Sequence, residues 1–304
     1  MAGASTRARV RPATLARELE RLLAEVAGSV DEVVARPHPS PETLHELHRE
    51  MRRLRHALAV WERLLASRQR ELVRPLDRRL KRLARLVGRV RDRDVVIDLI
   101  EGPKLPRPTH EDGALVTRLR TRLRDDARTG RELLRVFLRS ERDAHLFEGL
   151  RESLELGPRP GAAARLVAVL DEEQARRHEG VRAAHRKARR RASSTRLHRL
   201  RIQVRRLRHL TEVRSRLAGK TRATFPPAVR RLQTRLGRLH DLDIVLGDLD
   251  PDLRSSAWAR SLKRERRRVR RSIRESIRAH HWPALPLGDA SARTARPKAR
   301  RAAS

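Results

Sequence analysis

Residues 45–58 of the chain read HELHREMRRLRHAL, and residues 198–210 read HRLRIQVRRLRHL. When the two stretches are aligned at an offset of 153 residues, seven positions carry the same amino acid. The identical residues are His45, Leu47, Arg52, Arg53, Leu54, Arg55 and His56 in the first stretch and His198, Leu200, Arg205, Arg206, Leu207, Arg208 and His209 in the second. Self-similarity at a fixed spacing is the signature of an internal repeat. The chain is therefore predicted to contain two related halves.

Helical periodicity separates the first stretch into two faces. One face is apolar and consists of Leu44, Leu47, Met51, Leu54 and Leu58. The opposite face is basic and consists of His45, Arg49, Arg52 and His56, with His48, Arg53 and Arg55 beside them. Basic residues three and four positions apart on a helix lie roughly 5–6 Å from each other. Without a partner such a stripe destabilises the helix, because its positive charges repel one another. A row of anions opposite the stripe would remove this repulsion.

The rest of the chain also has helical periodicity, and no segment alternates as a half-buried strand would. The predicted fold class is all-α. Breaks between long helices are expected at RPHPSP (36–41), GPKLPRP (102–108), LGPRPG (156–161) and RASS (191–194). Ser40 and Thr195 are the predicted N-caps of the two helices that carry the repeat, and Gly88 and Gly237 are predicted helix stops.

A second pair of similar segments, GRVRDRDVVIDL (88–99) and GRLHDLDIVLGDL (237–249), follows the first pair in the same order. The proline- and glycine-rich segment 156–161 is the predicted boundary between a first half (residues 12–156) and a second half (residues 161–283). Residues 1–11 are predicted to be a basic N-terminal tail. Residues 284–304 have no periodicity and are predicted to be a disordered basic tail.

The charge of the chain points to an anionic partner. Its 304 residues include 74 Lys and Arg against 38 Asp and Glu, a formal net charge of +36. Because self-repulsion at this charge weakens the compact state, a polyanion that neutralises it should stabilise the fold. Three Trp, three Phe and no Tyr leave few rings on which single-stranded bases could stack. The charge is therefore predicted to contact phosphate groups themselves.

Several classes of site and location are disfavoured by the sequence. The chain has no Cys, which excludes disulfides and thiolate chemistry. No apolar run approaches the roughly 20 residues that span a membrane, so a cytoplasmic protein without membrane attachment is expected. The spacing of His45, Glu46 and His48 resembles a zinc-protease helix with a shortened interval. The repeat carries Arg201 in place of His48, and arginine cannot ligate zinc. We therefore predict no metal at this position.

Two pairs of aspartates recur in the second pair of segments, Asp92 with Asp94 and Asp241 with Asp243. Such pairs could hold Mg²⁺. The favoured interpretation is that the first residue caps a short helix and the second pairs with an arginine. The sequence contains no G-x-x-x-x-G-K-[S/T] loop and no Ser–His–carboxylate set with a recognisable spacing. No cofactor and no enzymatic activity are predicted.

Two further helices carry basic residues. Arg78, Arg82, Arg85 and Arg89 share one face of the third helix, and Arg231 and Arg238 match Arg82 and Arg89 in the second half. They are interpreted as the wall of an anion groove or as a solvated helix face. The C-terminal helix is predicted to begin at Asp250 and Pro251 and to run to about His281. It contains SLKRERRRVRRSIRESIRAHH (261–281) and has one thin apolar stripe. It is interpreted as a bundle helix or as an extension of the anion surface.

The pattern H-x-x-[R/H]-x-x-x-R-R-x-R occurs twice, and each copy is followed by G-R-x-x-D-x-D. This pattern resembles the CHAD domain, the conserved histidine α-helical domain, over roughly residues 12–283. The resemblance implies two helical bundle halves related by a pseudo-two-fold axis, with long helices around a basic central groove that binds inorganic polyphosphate. It assigns the signature to His45, Arg52, Arg53, Arg55, His198, Arg205, Arg206 and Arg208. His48 departs from the pattern, because relatives have arginine there.

The predicted function is non-enzymatic binding of inorganic polyphosphate, in the cytoplasm and at polyphosphate granules. The predicted binding residues are His45, His48, Arg49, Arg52, Arg53, Arg55, His56, Arg82, Arg89, His198, Arg201, Arg205, Arg206, Arg208, His209, Arg231 and Arg238. The alternative is a nonspecific nucleic-acid-binding protein, because the net charge fits that partner equally well. The scarcity of aromatic residues argues against single strands, and no helix stands out as one that reads duplex DNA.

Reversal of Arg52, Arg53, Arg205 and Arg206 to Glu is expected to abolish polyphosphate binding and to leave the helical content intact. The four arginines lie on the basic stripes, and their replacement turns attraction for phosphate into repulsion. Equilibrium binding and circular dichroism of the variant measure the two quantities. Wild-type affinity in this variant would show that the stripes are not the binding surface.

Overall fold

The computed structural model describes residues 11–155, 157–158, 160–218 and 227–279. Within these ranges the chain is helical and contains no strand, as the periodicity predicts. Residues 1–10 and the whole predicted C-terminal tail lie outside the described residues, so the predictions made for the tails stay predictions. No helix within the described ranges combines the length and the apolar character needed to cross a membrane.

Ten α-helices follow one another in the described part of the chain. They are α1 (Pro12–Ala35), α2 (Pro41–Trp61), α3 (Ser67–Glu101), α4 (Gly113–Asp143), α5 (Leu146–Glu155), α6 (Ala162–Arg190), α7 (Ser194–Leu217), α8 (Pro227–Asp248), α9 (Pro251–Arg254) and α10 (Ala257–Ala279). A 3-10 turn, Glu62–Leu64, follows α2. The first copy of the repeat forms α2, and the second forms α7.

Helices α2 and α7 begin at equivalent positions of the repeat. The hydroxyl of Ser40 accepts the backbone N–H of Thr43 at 3.2 Å, and the hydroxyl of Ser193 accepts that of Arg196 at 3.4 Å. The two serines are 153 residues apart, the same offset as the repeat. The prediction that Thr195 caps α7 was wrong, because the helix begins at Ser194 and Thr195 lies inside its first turn.

The predicted stops at Gly88 and Gly237 were also wrong, because α3 and α8 run through both glycines without interruption. Asp92 and Asp241 therefore lie inside long helices and cap nothing. A glycine costs a helix about 1 kcal/mol relative to alanine, and burial of flanking residues such as Val87 and Leu236 outweighs that cost. At Gly88 a Cβ would lie 3.0 Å from Cε1 of His48, so the absence of a side chain lets α3 approach α2.

The C-terminal helix differs from its prediction at its beginning. A single helix was expected to start at Asp250 and Pro251. The chain instead forms the short α9, bends at residues 255–256 and starts α10 at Ala257. The indole N–H of Trp258 donates to the carbonyl of Pro106 at 2.7 Å, and its backbone N–H donates to Asp112 at 2.7 Å. These two bonds fix the beginning of α10 against the loop before α4.

Two hydrophobic cores hold the helices. The first core contains Trp61 and gathers α1, α2 and α5 with parts of α3, α4, α6 and α7. The second core contains Trp258 and gathers α8, α9 and α10 with the remaining parts of the same four helices. Because α3, α4, α6 and α7 contribute to both cores, packing couples the two regions. The division of the chain at residues 156–161 stays a prediction.

Replacement of Ser40 or Ser193 by Ala is expected to lower the free energy of unfolding by about 1 kcal/mol, because each change leaves a helix N-terminus without its side-chain acceptor. Urea denaturation followed by circular dichroism measures the effect. The control is Thr195→Ala, which should change stability little because its exposed side chain caps nothing. A larger loss for Thr195→Ala than for Ser193→Ala would contradict the assignment of the cap.

Candidate anion-binding cavity

A cavity of about 620 Å³, called the central cavity here, lies between α2, α3, α7 and α8. Helix α2 contacts α3 and α7, and α8 also contacts both of those helices. The arginines that line it are Arg52, Arg55, Arg85, Arg89, Arg91, Arg201, Arg205 and Arg206. The histidines that line it are His48, His56, His198, His209 and His240. Asp92 and Asp241 are the carboxylates on its wall.

Equivalent positions of the repeat face each other in the central cavity. At the offset of 153 residues the lining pairs are His48 with Arg201, Arg52 with Arg205, and His56 with His209. At the offset of 149 residues, which aligns the second pair of segments, they are Arg91 with His240, Asp92 with Asp241, and Val95 with Ile244. The cavity thus receives matched contributions from both repeats. The internal duplication itself remains a prediction from the sequence.

None of the eight arginines of the central cavity forms a salt bridge with a carboxylate among the described residues. Burial, together with the charge of Arg205, lowers the pKa of Arg52 to about 10. The same two causes lower the pKa of Arg201 to about 10. A base whose pKa falls in this way is destabilised in its charged form. The ligand-free cavity therefore stores repulsion that an anion would relieve.

Histidine nitrogens position the guanidinium groups. Arg52 donates to Nε2 of His48, and its Nη1 lies 3.4 Å from Nε2 of His209. Nδ1 of His209 lies 3.2 Å from Glu212, which assigns the proton of that ring to Nδ1 and leaves Nε2 as an acceptor. Arg91 donates its Nε–H to Nδ1 of His45 at 2.9 Å. A neutral histidine thus orients an arginine without cancelling its charge, which a carboxylate would do.

The cavity keeps these histidines neutral. Burial, together with the charges of Arg52 and Arg91, lowers the pKa of His48 to about 3. Burial followed by the neighbouring His209 lowers the pKa of His56 to about 3. The rings of His56 and His209 stack with their centroids 5.0 Å apart. Burial and Arg201 lower the pKa of His240 to about 4. At neutral pH the rings therefore act as hydrogen-bonding groups.

Ten of the predicted binding residues line the central cavity: His48, Arg52, Arg55, His56, Arg89, His198, Arg201, Arg205, Arg206 and His209. His45 lies beside it and is bonded to Arg91. Arg53 lines a small neighbouring pocket with Glu18 and Glu212. Arg82 and Arg231 are exposed outside the cavity.

The other three predicted residues outside the cavity are neutralised by glutamates. Arg49 pairs with Glu46. Arg208 pairs with Glu212 at 3.2 Å, and Arg238 pairs with Glu265 at 2.7 Å. The structure therefore separates two kinds of arginine that the sequence pattern treats alike: those that face the cavity without a carboxylate, and those held in surface ion pairs. Glu46 and Glu212 lie on the same helices as their arginines and are visible in the sequence, whereas the approach of Glu265 to Arg238 from another helix is not.

Arg85, Arg91 and His240 line the cavity and were not among the predicted residues. Arg85 lies on the basic face of α3. Its neighbours Arg82 and Arg89 have arginine at the matching position of the second half, but Arg85 does not. Arg91 and His240 occupy the same position within the two G-R-x-x-D-x-D segments, one residue before the first aspartate. Two polar residues at that matched position were the signal that could have identified them.

The two aspartates of each pair have different roles. Asp94 pairs with Arg131, and Asp243 pairs with Arg266 at 2.5 Å, in agreement with the interpretation of the second aspartate of each pair. Asp92 and Asp241 instead face the cavity, and burial raises the pKa of both carboxyl groups. Across the described ranges, no group of three or more His, Asp or Glu side chains is arranged to hold a metal ion.

Comparison with known proteins identifies relatives. The family model described as CHAD domain matches residues 13–250. The crystal structure of the CHAD domain from the plant Ricinus communis is similar to this chain, with a TM-score of 0.57 and 20% sequence identity, covering 89% of this chain and 92% of that chain. No curated protein matches the sequence. The resemblance and the all-α fold predicted from the sequence are confirmed, whereas the internal duplication and the basic central groove stay predictions.

Lowering the pH from 7 to 5 is expected to decrease the unfolding free energy of the ligand-free protein. The folded-state pKa values of His48, His56 and His240 lie below the unfolded value of 6.5. The contribution of these three histidines to the unfolding free energy is therefore fully present above pH 6.5 and is lost as the pH falls towards 3–4. The loss at pH 5 is on the order of 1–2 kcal/mol for each histidine. Urea denaturation at several pH values measures it.

The matched control for the pH experiment is His48→Gln. Its amide oxygen can still accept from Arg52, but it does not titrate. The pH dependence should therefore be smaller in this variant than in the wild-type protein. An unchanged pH dependence would show that His48 does not contribute.

Proposed function

Because the chain belongs to the CHAD domain family, we propose that it is a non-enzymatic protein that binds inorganic polyphosphate in the central cavity. Proteins of this family are associated with polyphosphate or triphosphate binding in general. We extend the proposal to a cytoplasmic protein that associates with polyphosphate granules, since that is where the ligand would accumulate.

One observation carries the proposal: eight arginines line the central cavity with only two carboxylates, Asp92 and Asp241, and none of the eight forms a salt bridge among the described residues. Phosphate oxygens are the complementary acceptors, because a guanidinium group can bond two of them at once through its fixed fork. A linear polyphosphate carries a negative charge on every phosphate, so several arginines can each meet one unit. Release of the counterions that surround a free polyanion adds to the binding free energy.

The lining of the cavity favours phosphate over nucleobases. Its apolar members include Ala84, Val95, Ile202 and Ile244, and no Phe or Trp side chain is among the described lining residues. Recognition of unpaired bases relies on stacking against such rings. The ring pair nearest to that role, His56 with His209, is already stacked on itself. Nucleic acid is therefore kept as a secondary polyanion that competes through its phosphates.

The cavity also offers little for catalysis. A general base must be free to take a proton at working pH. Two of the five lining histidines, His48 and His209, accept from Arg52, and His45 beside the cavity accepts from Arg91. The proposal therefore includes no turnover of the bound phosphate chain.

The double variant Arg201→Gln/Arg205→Gln is expected to lose polyphosphate affinity and to gain stability without ligand. Neither arginine forms a hydrogen bond or salt bridge to another described side chain. Burial and repulsion outweigh the attraction of Asp92 and Asp241, because the pKa of both arginines is lowered, so their replacement relieves net destabilisation. The expected gain in unfolding free energy is on the order of 1 kcal/mol after discounting for solvent screening. The expected loss of affinity is at least about 100-fold for two lost charge-assisted contacts. Isothermal titration calorimetry and urea denaturation measure the two.

The matched control is Arg139→Gln/Arg199→Gln, which removes two exposed arginines of α4 and α7 outside the central cavity. It should keep near wild-type affinity. Equal losses of affinity in both double variants would show that binding depends only on net charge and would overturn the proposed site. Each protein is also titrated with polyphosphate in the presence of duplex DNA. Displacement of polyphosphate by DNA at lower phosphate concentration would favour the nucleic-acid alternative.

A further inference from the structure

A second basic concavity, called the α10 pocket here, lies between α8, α9 and α10 and encloses about 600 Å³. Its charged lining consists of Arg254, Lys263, Arg266, Arg267, Arg270 and Asp243. Five cations thus surround one carboxylate. The residues of α8 in this pocket, such as Leu246 and Gly247, differ from the residues of α8 that line the central cavity. The two concavities are therefore separate, with α8 between them.

Backbone carbonyl groups hold most of these cations in place. Arg270 donates to the carbonyl of Ala192 at 2.8 Å, Lys263 donates to that of Arg254 at 2.9 Å, and Arg254 donates to that of Leu249 at 3.0 Å. A neutral carbonyl orients a cation and leaves its charge in place. Asp243 pairs with Arg266, and Arg267 has no hydrogen bond or salt bridge to another described residue. The pocket therefore presents a fixed, strongly positive lining.

The first half of the chain contains a counterpart of this region. Helix α4 aligns with α10 at an offset of 135 residues, and four buried positions match: Leu123 with Trp258, Ala127 with Leu262, Leu134 with Val269, and Leu138 with Ile273. The ion pair between Asp94 and Arg131 corresponds to that between Asp243 and Arg266. The two regions therefore share the same packing and the same internal salt bridge.

The charged residues around these matched buried positions and ion pairs differ between the two halves. The first half carries Glu132 where α10 carries Arg267, and Asp98 where α8 carries Gly247. Both acidic side chains are exposed. Three carboxylates, those of Asp94, Asp98 and Glu132, thus accompany the arginines of the first half, whereas the α10 pocket has Asp243 alone. At the two matched positions the first half therefore has carboxylates, and the second half has Arg267 and Gly247.

We propose that the α10 pocket is a second binding site for phosphate oxyanions, independent of the central cavity, and that its ligand is a short inorganic phosphoanhydride or one segment of a longer polyphosphate. The lining supplies the charge, and the arginine forks supply paired donors for phosphate oxygens. The proposal goes beyond the function assigned to the central cavity and does not depend on it.

The test uses tripolyphosphate and the full chain in isothermal titration calorimetry. The wild-type protein is expected to bind at two sites. Lys263→Glu/Arg267→Glu is expected to keep one site and to weaken the other at least about 100-fold, because two cations become repulsive. Both side chains are exposed, so the fold should tolerate the change, and circular dichroism checks it. Tripolyphosphate binding that is unchanged in the Lys263→Glu/Arg267→Glu variant, whether the wild-type protein shows one site or two, would overturn the proposal.

The matched control is Arg271→Glu/Arg274→Glu, which makes the same change of charge on the exposed surface of α10 outside the pocket. It should keep two sites, and loss of one site here would overturn the proposal by showing an effect of charge alone. Arg201→Gln/Arg205→Gln should remove the central site and keep the α10 site, so that failure of one assignment is distinguishable from failure of the other.

Long polyphosphate distinguishes the two sources of the ligand. One long chain that fills both sites should bind with a stoichiometry of one and lose affinity in the Lys263→Glu/Arg267→Glu variant. If the α10 pocket instead binds separate short chains, the variant should bind long polyphosphate with unchanged affinity and should still lose one site for tripolyphosphate. Both results support an anion site in the α10 pocket.

Discussion

Repulsion among arginine side chains is the constraint around which the central cavity is built. Four helices bring guanidinium groups together, and burial and mutual proximity lower the pKa of Arg52 and Arg201 to about 10. Elsewhere in the described structure, many arginines are paired with a nearby Asp or Glu, as Arg79 is with Glu141. In the cavity the arginines form no such ion pair among the described residues, and Asp92 and Asp241 offset only part of their charge. A concentrated positive field remains in a partly desolvated space, where electrostatic interactions are stronger than in water.

Apolar packing supplies the free energy that holds these charges together. Each fully buried leucine or valine stabilises the fold by roughly 1.5–3 kcal/mol, and the two cores contain many of them. Helices α3, α4, α6 and α7 take part in both cores, so the cavity cannot widen to separate its charges without disturbing apolar contacts. A polyanion in the cavity would add to stability by binding only the folded state.

The histidines explain how the cavity stays ordered without losing its charge. Neutral imidazole groups accept hydrogen bonds from Arg52 and Arg91 and so replace the carboxylates that usually orient arginine. Gly88 contributes by leaving space for the ring of His48. The two halves also diverge where no such constraint acts. Around the ion pairs of Asp94 and Asp243, the first half carries Glu132 and Asp98 where the second carries Arg267 and Gly247.

The sequence by itself determined the helical class, the offset of 153 residues and the two basic stripes, because helical period and residue identity are local properties. Ten of the seventeen predicted residues line the cavity for this reason. Tertiary structure decided the rest. Gly88 and Gly237 stayed inside helices because packing outweighs their intrinsic cost. Arg49 and Arg238 left the candidate site because glutamates reach them, one from the same helix and one from α10. Glu46 is visible in the sequence beside Arg49, whereas the approach of Glu265 to Arg238 from a distant segment is a property of the folded chain alone.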